Sequence, residues 1–330
     1  MKRFSLFVLV VTTGFCTAAQ EKNSEPPPGK ISAKIYTHFN YSLSTDNPAT
    51  AFEVKRAYFG YKRNLDEHFT AEVKLDIGSV DDISEFSLIR RYTYFKNAYV
   101  GYSKGNVKAW FGLMEMLQFQ LQERFWGYRY IYKSYMDEYR FGSSADLGTG
   151  IQYSPAEKIS ADLVLSNGEG YKNLQFDNVY RVGAGFTLQP LESLTLRAYY
   201  TIHTSKVPQM TFSGFLGYSF DRFRIGGEYN HQLNYRFNEG HSRFGYSLYS
   251  TWIFSEKWEI FARYDQLYSN ILPEDEVPWN LGQDGSAVIA GFQFTPIRYI
   301  HLSLNYQDWV EYARNGGSEP FLYLNIEIVF

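Results

Sequence analysis

The sequence has only one cysteine, no long apolar run and no excess of basic residues. The chain has a single cysteine, Cys16, so a mature chain that loses this residue can form no disulfide and carries no thiol. No apolar run approaches the roughly 18 residues that a transmembrane helix needs, so any membrane span must be built from strands. Basic residues are not in excess, since 32 Lys and Arg stand against 35 Asp and Glu, which argues against nucleic acid as a partner.

Residues 1–19 have the pattern of a secretory signal peptide. Lys2 and Arg3 form a positive region, and an apolar stretch too short to span a bilayer leads to small residues that offer a cleavage site. Cleavage would remove two of the 32 basic residues, leaving 30 against 35 acidic ones, a net charge of −5. A lipid attached to Cys16 is the alternative, but the bulky phenylalanine before it fits a lipoprotein signal poorly. Residues 20–30 are polar and proline-rich, which predicts a periplasmic spacer.

Residues 31–330 alternate between apolar and polar side chains with a period of two. Ile31 and Ala33, for example, alternate with Ser32 and Lys34. Since successive side chains on a strand point to opposite faces, each such segment has one apolar and one polar wall. The pattern predicts sixteen strands at 31–42, 53–63, 68–78, 94–103, 107–113, 145–154, 159–166, 180–189, 194–204, 210–221, 223–231, 243–254, 258–268, 286–294, 300–310 and 320–330.

The connectors and the composition indicate a transmembrane antiparallel β-barrel of about sixteen strands. Tight turns alternate with mostly longer connectors, the asymmetry between short periplasmic turns and long external loops that outer-membrane barrels show. Aromatic residues make up 19% of the chain, yet its mean hydropathy is only −0.35. A barrel explains both values, because it exposes aromatics to lipid and keeps polar side chains in a wet lumen. A soluble secreted β-protein is the weaker alternative.

Charged residues of the strands fall on the polar face, which predicts a hydrated lumen. On a lipid face near the midplane each Lys or Arg would cost about 2–4 kcal/mol. Ten basic and seven acidic residues fall on the face predicted to point into the lumen. This slight excess of positive charge favours anions in a pore. The alternative is that these charges only pair with one another across strands. The basic residues predicted to face the lumen include Lys34, Arg56, Lys74, Lys108, Arg197, Arg224 and Arg263.

The last strand ends in Phe330. Leucine and isoleucine side chains share its face, while Asn325 and Glu327 lie on the other. A terminal phenylalanine on an amphipathic strand resembles the signal by which the barrel-assembly machinery recognises outer-membrane proteins. The alternative is an ordinary C-terminal core strand. We expect Phe330 to act as the assembly signal.

The connector at residues 114–144 is too apolar and aromatic to extend freely into water. Loops of this length in compact domains are usually functional. Folded inward, it would narrow the wide passage of a sixteen-strand barrel. The alternative is an extracellular cap packed on neighbouring loops. The residues expected to face the channel at this constriction are Glu123, Arg124, Arg129 and Lys133.

Four stretches resemble the porin family named for phosphate-selective porins O and P, in its Bacteroidetes form. They are Phe52 to Tyr61 (FEVKRAYFGY), Glu72 to Gly78 (EVKLDIG), Asn97 to Tyr102 (NAYVGY) and Glu123 to Gly150 (ERFWGYRYIYKSYMDEYRFGSSADLGTG). The resemblance covers the N-terminal half well and the C-terminal half mainly by barrel pattern. It implies a sixteen-stranded pore with the third loop inside. The family's ladder of lumen arginines cannot be identified here, so phosphate selectivity does not follow.

These observations predict an outer-membrane porin of a Gram-negative bacterium, a passive diffusion channel for small hydrophilic solutes with a weak preference for anions, phosphate among them. We expect no enzymatic activity, no cofactor and no metal; the six histidines show no metal-ligand spacing. The partners are outer-membrane lipid, the barrel-assembly machinery and the solutes, with a homotrimer as an option by analogy. The alternatives are a structural or secretion-machinery barrel, or a barrel hydrolase using His241 and Ser242.

Overall fold

The computed structural model describes residues 28–44, 50–79, 91–311 and 318–330. The predicted signal peptide, most of the spacer and parts of three connectors lie outside these residues. Within them the chain forms sixteen strands: β1 Lys30–Ser42, β2 Thr50–Asn64, β3 Phe69–Ser79, β4 Arg91–Lys104, β5 Val107–Glu115, β6 Ala145–Ala156, β7 Ile159–Ser166, β8 Arg181–Leu191, β9 Leu194–His203, β10 Met210–Phe220, β11 Phe223–Leu233, β12 Ser242–Ser255, β13 Trp258–Ser269, β14 Gly285–Ile297, β15 Ile300–Glu311 and β16 Phe321–Val329.

The sixteen strands close into one antiparallel barrel, each hydrogen-bonded to its neighbours in sequence. β1 and β16 complete the ring, with Lys34 opposite Val329 and Ser42 opposite Phe321. The Phe330 N–H donates to the Ala33 carbonyl at 2.8 Å. The predicted fold class and strand count are therefore confirmed, with strand bounds that differ by at most three residues.

The two faces of the wall differ in chemistry as the alternation predicts. On β12, Tyr246, Leu248 and Trp252 are exposed on the outside, while Arg243 and Ser247 are buried on the inside. An apolar outer band is what lipid requires, because a lipid-facing charge is unfavourable there. The inside is polar because side chains at every second position point toward the lumen.

Connector lengths separate the two ends of the barrel. At one end six of the seven connectors have two residues, and the seventh is the four-residue turn between β2 and β3. There the Asp66 carboxylate accepts hydrogen bonds from the backbone N–H groups of His68 at 2.7 Å and Phe69 at 2.5 Å. Such side-chain to backbone bonds are typical of Asx turns. The other end carries the long connectors.

The third long connector, residues 116–144, lies inside the barrel and is called here the third loop. It contains α1, Leu117–Trp126, and α2, Tyr135–Glu138. Its side chains form two apolar clusters with the inner wall: Trp126 and Ile131 pack with Phe261 of β13, and Phe119 and Met136 pack with neighbours that include Leu267. This packing agrees with the prediction that the segment folds inward rather than capping the barrel on the outside.

In the described part of the chain, none of the helices is long and apolar enough to cross a membrane.

In the described residues six β-bulges shift the register between neighbouring strands, four of them beside short turns. The other two lie within the wall and interrupt the alternation of inward and outward side chains there. The register between β1 and β2 shifts so that Lys55 is an extra residue, and that between β3 and β4 shifts so that Lys96 is one. A bulge lets two consecutive side chains point to the same side of the sheet. Lys55 and Arg56 both line the lumen, and so do Lys96 and the buried Asn97.

Candidate pore and its constriction

The path of the third loop follows from its sequence. Residues 117–124 (LQFQLQER) are mostly straight-chain helix formers without a β-branched residue. α1 ends where Gly127 adopts φ 80°, a left-handed conformation that favours glycine, and its N–H donates to the Glu123 carbonyl at 3.0 Å. A two-residue alternation does not predict this helix, although the run of helix formers followed by glycine is the signal that marks it.

Four inward arginines hold the third loop against the β9–β13 side of the barrel. Each guanidinium donates to a backbone carbonyl of the segment: Arg197 to Leu117 at 3.3 Å, Arg224 to Trp126 at 3.5 Å, Arg263 to Lys133 at 2.6 Å and Arg243 to Arg140 at 2.6 Å. Hydrogen bonds from a charged donor are stronger than neutral ones. The loop backbone, which lacks sheet partners, is satisfied in this way.

Two of these arginines also pair with carboxylates. Arg197 forms two hydrogen bonds to Asp162, at 2.8 and 3.0 Å, and Arg263 forms two to Asp265, at 2.8 and 2.6 Å. Arg263 and Asp265 are fully buried. The structure places Arg197, Arg224 and Arg263 behind the third loop, where they bind the loop rather than line an open path.

The remaining predicted lumen residues lie toward β1–β6. Arg56 pairs with Asp76 at 3.2 Å, and Lys74 pairs with Glu115 at 2.9 Å. Lys34 is half exposed and pairs with a glutamate of β16 at 3.4 Å. Lys108 is exposed beside a short turn, opposite Gln152 of β6.

The predicted constriction residues are not all in one place. Arg129 is the central one: its guanidinium pairs with Glu123 and Asp137, each at 2.6 Å, and reaches the Tyr58 hydroxyl of β2 at 3.4 Å. Lys133 pairs with Glu138 within the third loop at 3.5 Å. Arg124 lies apart from the others. It is exposed on α1, and its guanidinium donates a hydrogen bond to the side-chain oxygen of Gln120 at 3.4 Å.

Two cavities flank Arg129. The outer cavity, about 530 Å³, opens toward the long connectors and is lined by residues of the third loop and of the β7–β8 connector. The inner cavity, about 270 Å³, lies toward the short-turn end and is bounded by Lys34 and Phe330. Both are lined by Tyr36 and Arg129. We call Tyr36, Tyr58 and Arg129 the constriction; the two tyrosine rings meet edge to face at 5.7 Å.

The outer cavity is strongly basic. Among the described residues that line it, the acidic ones are Asp137 and Glu169. Burial, with Asp177 and Asp146 nearby, raises the pKa of the Glu169 carboxyl above its ordinary value. The inner cavity carries Lys34, Lys74, Lys96 and Arg129 against two glutamates. The basic residues that line the outer cavity are Lys55, Arg56, Arg129, Lys133, Arg140, Lys172 and Arg181.

Lys55 and Lys96 line the cavities although the two-residue alternation does not predict it. Both stand at bulges, and alternation alone assigns the position beside an inward residue to the outside. Lys55 donates to the Ile131 carbonyl of the third loop at 2.9 Å, and Lys96 lies with its ammonium 4.4 Å from the centre of the Tyr171 ring. The only sequence signal is a charged residue at a position that would otherwise face lipid.

The histidine and serine considered for hydrolysis do not form a pair. The His241 ring stacks on Trp279, with ring centroids 4.3 Å apart. The Ser242 hydroxyl instead lies 2.7 Å from Nε2 of His231, on the outer face of the wall. The arrangement expected for a His241–Ser242 site is therefore not present.

The chain is similar in fold to solved outer-membrane channels. The outer membrane channel DcaP of Acinetobacter baumannii superposes with a TM-score of 0.68 at 11% identity, over 95% of this chain and 100% of that one. Salmonella typhi OmpF, solved with daunomycin, gives 0.70 at 11% identity, over 92% and 97%. The anion-selective porin from Comamonas acidovorans gives 0.65 at 12% identity, over 92% and 99%.

The sequence itself matches no protein-family model and no curated protein. At identities this low the structural likeness establishes architecture alone. The chain has the sixteen-stranded fold of the outer-membrane porins.

Proposed function

We propose that this protein is a porin of the outer membrane of a Gram-negative bacterium, a passive diffusion channel for small hydrophilic solutes with a weak preference for anions. The observation that carries this proposal is the pair of cavities lined by charged residues on either side of the constriction, inside a closed barrel with an apolar outer face. A charged, hydrated interior of this kind suits solute passage.

The anion preference is supported by the charge of the outer cavity, which in the described part of the chain is lined by seven basic residues and two acidic ones. Rings of arginine and lysine in a pore attract anions and exclude cations. Many of these charges are paired, for example Arg56 with Asp76. The preference proposed is therefore weak. The resemblance to phosphate-selective porins makes phosphate one candidate solute.

The proposal includes the route to the membrane and the surroundings there. Residues 1–19 direct export and are removed, residues 20–30 form a spacer, and the barrel-assembly machinery recognises Phe330. The exposed aromatic and aliphatic side chains of the outer face contact lipid, and a homotrimer would cover part of that face. N-terminal sequencing of the mature protein tests the cleavage site.

Single-channel recording tests the function. The mature protein, refolded in detergent and inserted in a planar bilayer under a KCl gradient, should give discrete conductance steps and a reversal potential displaced toward that of chloride. Folding is checked by the heat-dependent shift in gel mobility of barrel proteins. If correctly folded protein gives no steps, the porin proposal fails and a structural or secretion-machinery role takes its place.

A further inference from the structure

Arg181, on β8, differs from the other buried cations of the lumen. Its side chain lines the outer cavity, and the residue is 3% exposed. One guanidinium nitrogen, Nη2, donates to the side-chain oxygen of Gln118 on α1. The other, Nη1, is buried and has no hydrogen-bond partner among the described residues. Among the described residues no carboxylate forms an ion pair with it.

The neighbouring arginines show how this barrel normally treats a buried guanidinium. Arg197 and Arg263 each have a carboxylate partner. Arg243 has none, but it lies between the rings of Tyr235 at 3.9 Å and Phe141 at 4.6 Å and donates to two oxygens. A buried charge without a partner is strongly unfavourable. Within the part of the chain that the structure describes, Arg181 therefore lacks the counter-charge that its environment requires.

The outer cavity, which Arg181 lines, provides the space for such a counter-charge. Gly142 packs against the guanidinium on one side, since a Cβ atom there would come within 2.9 Å of Arg181 Nη2, and a Cβ atom on Gly168 would come within 3.4 Å of the Arg181 Cβ. These close contacts are with glycine backbone, which supplies no charge to the arginine. The carboxylate of Asp146 is already engaged, because it accepts hydrogen bonds from the N–H groups of Gly168 at 2.6 Å and Gly170 at 3.3 Å.

We propose that Arg181 is an anion-binding subsite of the outer cavity, which holds one carboxylate or phosphate group of a small solute before that solute reaches the constriction. The inference deepens the proposed channel function and rests on it. A guanidinium presents paired N–H donors that match the oxygens of either group. Lys55, Lys133 and Lys172, which line the same cavity, add to its positive field.

The test is block of the chloride current by added anions. Potassium phosphate or potassium acetate, added on the long-connector side at fixed KCl, should reduce the single-channel current in a saturable way. Arg181→Gln should raise the half-blocking concentration about ten-fold, the loss expected for one charge-assisted hydrogen bond. Arg181→Lys keeps the charge without the planar fork and should fall between the two. Block by phosphate alone, or by acetate alone, supports the subsite and names its ligand.

The matched control is Arg222→Gln, which removes one charge from an exposed residue in the turn between β10 and β11. It should behave as the wild type does. Equal half-blocking concentrations in the wild type and Arg181→Gln, or an equal shift in Arg222→Gln, would overturn the subsite while leaving a conducting porin. Absence of channels in the wild type would instead remove the proposed function. If Arg181→Gln does not fold, Arg181→Lys decides the comparison.

Discussion

The two sides of the lumen use basic residues in opposite ways. On the β9–β13 side the arginines are covered by the third loop, and Arg197 and Arg263 also bind carboxylates. On the β1–β4 side Lys55, Arg56 and Lys96 border the cavities. The first set anchors a segment that lacks sheet partners, while the second shapes the field along the solute path. Inward direction alone therefore does not identify a pore residue.

Breaking the anchor should have the largest effect. Arg263→Gln leaves the buried Asp265 without its partner and frees the Lys133 carbonyl, so the free energy of unfolding should fall by about 3–5 kcal/mol. Urea unfolding followed by tryptophan fluorescence measures this. The double variant Arg263→Gln with Asp265→Asn removes both charges and should recover part of the loss. Equal destabilisation in the single and double variants would contradict the role of the buried pair.

The constriction should respond in selectivity more than in stability. Arg129→Gln leaves Glu123 and Asp137 without their cation, so the reversal potential in a KCl gradient should move toward that of potassium. We expect a larger shift than from any single lysine variant, because Arg129 borders both cavities. Gln keeps most of the side-chain volume, so an unchanged reversal potential would place the constriction elsewhere.

The bulge lysines should give a smaller change of the same sign. Lys55→Met and Lys96→Met each remove one positive charge from a cavity wall, and chloride preference should fall with each. Lys108→Met is the control, since this residue lies beside a short turn and away from both cavities. If Lys108→Met lowered the chloride preference as much as Lys55→Met, the position of the lysine in the barrel would not matter.

The smallest effect concerns pH. The pKa of Glu169 is raised, so on acidification this carboxyl takes up its proton at a higher pH than an ordinary glutamate. The outer cavity then loses the negative charge of Glu169, and chloride preference should rise as the pH falls through that pKa. Glu169→Gln should abolish this part of the pH dependence while raising the preference near neutral pH. Reversal potentials at a series of pH values measure both.

The strands were predictable because a two-residue period needs only local sequence. The side chains of each segment show which of its two faces is apolar. The alternation is strict because a charged side chain facing lipid is unfavourable. The bulges at Lys55 and Lys96 were not predictable, because a residue is extra only in relation to the partner strand it lies opposite, and the sequence of one strand does not show this. The grouping of Arg129 with Glu123 and Asp137 depends on the folded path of the third loop. That the third loop covers Arg197, Arg224 and Arg263 was not foreseeable from their strands, because the contact is made by a distant segment of the chain.

The closure between β1 and β16 has a consequence for how the barrel forms. Lys34 and Glu327 meet across this seam although 293 positions separate them in sequence. Until that last pair forms, both strands present unpaired backbone groups, which are unfavourable in hydrocarbon and prone to pairing with other chains. Closure is also slow for so distant a pair. Insertion and sealing must therefore be coupled, so that a partly assembled sheet never meets the membrane interior with open edges.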